Sequence, residues 1–93
     1  MYRTLRLCAS GGGFEAIPDP PRPLDLARVR ASLEAALVPV VDARVMLIAA
    51  VGPEVTIARS GRLLFKTRDP AAADRAFNLL RPILDRAATP PGA

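Results

Sequence analysis

The clearest periodicity in the chain lies in its last third. Ala73, Ala76, Phe77, Leu80, Ile83, Leu84 and Ala87 fall on one helical stripe, which predicts an amphipathic helix over residues 70–87. Asp69 before Pro70 supplies an N-cap and a proline at the first helical position, where a missing N–H costs nothing. Pro82 falls inside the stripe, removes one backbone donor and predicts a kink. Just upstream, Glu54–Arg59 and Arg62–Thr67 are β-rich runs around Ser60-Gly61, and they predict a hairpin over residues 54–68. Glycine accepts the positive φ that a two-residue primed turn demands. That loop sets Ala58 opposite Leu63 and Thr56 opposite Phe65. Ile57 and Leu64 then share the other face with Arg59 and Arg62, so both faces of the hairpin mix apolar and polar groups.

The earlier segments fill out the pattern. Val45–Val51 is apolar on both faces, as expected of a central strand covered on each side, and Gly52-Pro53 turns the chain. Tyr2–Ala9 alternates as a half-buried strand, Ser10–Gly13 breaks it, and Phe14–Ile17 forms a brief return strand. Pro18, Pro20, Pro21 and Pro23 stiffen a connector over residues 18–23 that can be neither helix nor central strand. Asp25 caps a further helix in which Leu26, Val29, Leu33, Ala36 and Leu37 recur at helical spacing, and Pro39 closes it near Val38. Residues 89–93 read as a frayed tail. The class is therefore α+β in a single domain, 1–93: an antiparallel sheet of about four strands gripping a long C-terminal helix, with one further helix. The order is strand, helix, strand, strand, strand, helix.

Composition changes this picture in two ways. Apolar residues make up 51% of the 93, yet the aromatics are only Tyr2, Phe14, Phe65 and Phe77, so the core rests on Leu, Val, Ile and Ala. So thin a core favours sharing apolar surface with a second subunit. Cys8 is the one cysteine, which excludes an intramolecular disulfide and suits a reducing compartment. The longest apolar run is too short to cross a bilayer, and the interrupted N-terminal pattern is not that of a signal peptide. A cytoplasmic protein without membrane partners is expected.

Catalytic chemistry has little to work with. There are no histidines, so a His-centred base, relay or metal site is excluded, and the nine carboxylates are scattered. Cys8 lacks an activating base and reads as a small buried residue. The glycines of Ser10–Gly13 precede prolines instead of a helix N-terminus, which suits a turn better than a phosphate loop. Neither enzymatic activity nor a cofactor or metal is expected. The net charge of +4 comes from twelve Arg and one Lys, a proportion that GC-rich coding also produces. Arg59, Arg62, Lys66 and Arg68 are the densest cations. They are candidate nucleic-acid contacts, or else charges that discourage edge pairing.

The succession of elements resembles one half of the TATA-binding protein fold, in which a curved antiparallel sheet grips a long C-terminal helix. Arg59-Ser60-Gly61-Arg62, followed by a short strand and the amphipathic helix, is similar to the Ser-Gly-Lys hairpin before the long helix of each such half, over about residues 43–87. Arg75, Asn78, Leu80 and Arg81 also resemble the helix of the small dimerising subunit of the KEOPS tRNA-modification complex. The second resemblance implies a role in tRNA modification. The absent catalytic groups, the thin core and the strand apolar on both faces point to a non-catalytic interaction and dimerisation subunit of a larger intracellular assembly, a homodimer or the partner of another protein. Its candidate interface is Ile57, Leu64, Phe77, Leu80, Ile83 and Leu84. The alternative is a small basic DNA- or RNA-binding module that uses the hairpin over residues 59–68.

Overall fold

The structure is a computed structural model that describes residues 6–7, 13–18 and 23–87. Within them run β1 (Arg6–Leu7), β2 (Phe14–Ala16), α1 (Leu26–Ala35), β3 (Val40–Asp42), β4 (Met46–Ala50), β5 (Glu54–Ala58), β6 (Leu63–Lys66) and α2 (Pro70–Ala87). Tyr2–Leu5, Cys8, Ser10–Gly12, residues 19–22 of the proline connector and the 89–93 tail lie outside the described residues.

All strands join one antiparallel sheet in the order β1-β2-β6-β5-β4-β3. The class and the gripped C-terminal helix are as expected, while the sheet has six strands instead of about four. The two beyond that number are β2, the brief return strand at Phe14–Ala16, and β3, three residues too short to register as an alternation. One face of the sheet carries Ala16, Leu47, Ala49, Val55, Ile57, Leu63 and Phe65, all buried. They join Val29 and Leu33 of α1 and Ala73, Ala76, Phe77, Leu80, Leu84 and Ala87 of α2 in a single core. Both helices therefore lie on the same side of the sheet. At the centre Phe65 and Phe77 meet edge to face, with centroids 6.0 Å apart.

The hairpin differs from expectation by one residue. Ile57 faces Leu63, Thr56 faces Leu64 and Val55 faces Phe65. The Ala58 carbonyl accepts from Gly61 N–H, and Ala58 N–H donates to the Arg62 carbonyl, both at 2.9 Å. The loop is thus Arg59-Ser60-Gly61, three residues closed by Gly61 at φ 97°. A slip of one residue moves a whole strand's side chains to the other face. The observed register places Val55, Ile57, Leu63 and Phe65 together inside, so the core face of the hairpin is wholly apolar.

Local chemistry fixes the helix ends. Asp25 Oδ1 accepts from the N–H groups of Ala27 and Arg28, capping α1. Asp69 Oδ1 accepts from Ala71 N–H, and Thr67 Oγ1 accepts from Asp69 N–H, so α2 starts at Pro70 as expected. Pro82 lies on the exposed side of α2, which continues to Ala87. Helix α1 ends earlier than its apolar spacing implies, at Ala35. Val38 N–H donates to the Leu33 carbonyl and Leu37 N–H to that of Glu34. This is a Schellman closure, with Leu37 left-handed at φ 61° in the position that usually holds glycine. Leu37, expected on the buried stripe, is instead 90% exposed.

Candidate interaction surfaces

The face of the sheet turned away from the helices is built by the same register. Glu15, Leu64, Thr56, Ile48 and Val41 line up across five strands, with Ala58 and Met46 in the next row. An antiparallel sheet with one wet face normally alternates apolar inward with polar outward. Here β4 breaks that rule. Its inward Leu47 and Ala49 are buried, and its outward Met46 and Ile48 are apolar as well and half-buried. The expectation that each face of this strand is covered holds on one side only: none of the described elements lies over Met46 and Ile48. The adjoining Val41 and Val45 are 62% exposed. Two ion pairs rim this stripe, Arg62 to Glu15 at 2.7 Å and Lys66 to Glu54 at 2.9 Å.

The four candidate nucleic-acid contacts do not form one patch. Arg59 sits in the hairpin loop and lines a groove of about 600 Å³ beside α1, together with Arg30, Arg44, Asp25, Glu34 and Asp42. Within that groove Arg30 reaches Asp42 at 3.3 Å and Glu34 at 3.7 Å. Arg62 and Lys66 lie on the opposite, open face, roughly 13 Å apart along β6, each against its own carboxylate. Arg68 is exposed in the turn before α2. The cations are spread over two faces and both ends of a strand, with acids among them. Among the described residues no cluster of three or more potential metal ligands occurs, and no helix is long and apolar enough to cross a membrane.

The candidate interface divides in two. Ile57, Phe77, Leu80 and Leu84 are at most 5% exposed and are spent on the chain's own core. Ile83 packs partly against that core, and Leu64 stands on the open face. No family model, curated protein or solved structure matches the chain.

A further surface escaped the sequence reading. At the end of the sheet away from the hairpin loop, a groove of about 570 Å³ runs between the α1–β3 turn, the β4–β5 turn and the first half of α2. Leu37 and Leu79 flank it, and Leu79 is 48% exposed. The one local sign of it was that Leu79 falls off the apolar stripe of α2.

Proposed function

We propose that the protein is a non-catalytic interaction subunit that pairs with a second copy of itself through the open face of its sheet. The observation that carries this reading is β4, whose outward Ile48 adjoins Val41 on one side and, across Thr56, Leu64 on the other, with Met46 and Ala58 in the next row and no described element over them. The surroundings support it. The apolar stripe is rimmed by Arg62–Glu15 and Lys66–Glu54, so a two-fold copy meets both signs of charge at the rim. An apolar centre with a charged rim is how protein interfaces are built. The same role is implied by the resemblance to the small dimerising subunit of the KEOPS complex.

The face measures roughly 24 Å across its strands and 16 Å along them. Two such faces bury roughly 770 Å² together, below the ~1,200 Å² of stable interfaces, so a weak pairing with a dissociation constant of about tens of micromolar or more is expected. Light scattering over a concentration series that spans this range is therefore the test. The mass should rise from one chain to two. Ile48→Glu, which sets two carboxylates against each other across the two-fold, should hold the protein as a monomer with an unchanged circular dichroism spectrum. A parent protein that stays monomeric throughout, or an Ile48→Glu variant that pairs equally well, would overturn the reading.

A further inference from the structure

The groove at the far end of the sheet is distinct from the open face, and its chemistry specifies a different kind of occupant. We propose that it binds an acidic amphipathic helix presented by another protein. This stands apart from the sheet-face pairing, and either can fail without the other.

Three observations define the ligand. The first is the placement of apolar surface. Leu37 is 90% exposed and Leu79 48% exposed, and both border the groove, which Val51 and Ala76 also line. Two aliphatic side chains flanking a trough of about 570 Å³ leave room for a few apolar anchors. The second is charge. The charged residues lining the groove are Lys66 and Arg75, with no carboxylate among them. Lys66 already holds Glu54 at 2.9 Å, while Arg75 has no ion pair among the described residues. A ligand bearing Asp or Glu beside its apolar anchors is thereby selected over a basic one.

The third observation is the backbone. Pro39 and Pro53 lie in the walls, and proline offers no N–H. The Ala50 N–H donates to the Pro39 carbonyl and the Val51 N–H to that of Pro53, so these donors are taken up internally. An added strand needs a free ladder of donors and acceptors, which this rim lacks. A helix brings its own backbone hydrogen bonds and asks only for apolar contacts at i, i+3 or i+4, and i+7. The conformation of Leu37 fits the same assignment. A leucine stands in the left-handed position that glycine fills without strain, and its side chain points into water. Nothing among the described residues rewards that choice. A partner that buries the side chain does.

The test is selection of a random peptide library, with members of about 16 residues to allow a stable helix, on the full chain. Counter-selection uses the Leu37→Ser/Leu79→Ser variant. Enriched peptides should carry aliphatic or aromatic residues at helical spacing and a net negative charge. The best of them, synthesised and titrated by fluorescence anisotropy, should bind at least tenfold more weakly to Leu37→Ser and to Arg75→Glu. Ile48→Glu should bind it as the parent does. Both groove substitutions are at exposed positions, and retention of fold is checked by circular dichroism. Enrichment of basic or strand-forming peptides, equal affinity for Leu37→Ser, or no enrichment over the double variant would each overturn the proposal.

Discussion

Replacing Leu37 by glycine should make the protein more stable, although it deletes a large apolar side chain. Leu37 closes the Schellman motif of α1 at φ 61°. An L-residue held in that left-handed region costs about 1–2 kcal/mol. Glycine relieves this, but its freer unfolded chain takes back about 0.5–1 kcal/mol. The side chain is 90% exposed, so a tenth of leucine's full burial energy is at stake, roughly 0.2 kcal/mol. The net gain is about 0.5 kcal/mol. In a domain of this size that raises the melting temperature by about 2–4 °C and the urea midpoint by about 0.2–0.5 M. The assay is urea unfolding followed by circular dichroism, with the slope required to stay constant. Leu37→Ala serves as the control, because it keeps the left-handed β-carbon and loses only the small burial term. It should unfold close to the parent. If Leu37→Gly were equal to or less stable than Leu37→Ala, the account of strain at this position would be refuted.

Three other substitutions test the packing. Gly13 stands so close to the Phe65 carbonyl that a β-carbon has no room, so Gly13→Ala should destabilise by about 1–3 kcal/mol in urea unfolding. Phe77→Ala removes a 5%-exposed ring from the edge-to-face pair and should cost about 3–5 kcal/mol, a large share of the stability of a domain this small. Thermal unfolding should show it as a steep loss of melting temperature. Lys66→Ala breaks an ion pair whose side chains are 60% and 48% exposed. Its cost should stay below about 0.5 kcal/mol and vanish when salt is raised, as repeated denaturation at two ionic strengths would show.

Helix α2 was legible because two independent signals agree on it. Its stripe is buried as drawn, with Ile83 alone partly out, and Asp69-Pro70 marks the start. The hairpin register was not legible from the loop. Two-residue and three-residue turns both accept Gly61 at positive φ, and only the burial of Val55 and Ile57 with Leu63 and Phe65 decides between them. The end of α1 misled for a related reason. Leu37 continues the apolar spacing of Leu26, Val29 and Leu33, and Pro39 permits a helix that far. The closure depends instead on carbonyls of Leu33 and Glu34 accepting from residues beyond the helix. The open sheet face was half visible in the two-sided apolar run of β4. The end groove left only the off-stripe Leu79 as a sign, since its walls come from segments as distant in sequence as Leu37, Pro53 and Leu79. No local pattern records that they meet.

The strand order has a consequence for how the chain is made. β6 lies between β5, its neighbour in sequence, and β2, which is synthesised long before it. Phe14 and Ala16 find Phe65 and Leu63 only after about fifty further residues have been made. The run from β3 to β6 pairs each strand with the next, and such nearby contacts close cheaply. On a ribosome, residues 40–66 can assemble as soon as they emerge, whereas β2, which has β1 as its near neighbour, waits for β6 on its other side. β2 is then the final strand to dock and the first to leave. Hydrogen exchange should show it as Phe14–Ala16 amides opening well before those of Val55–Ile57.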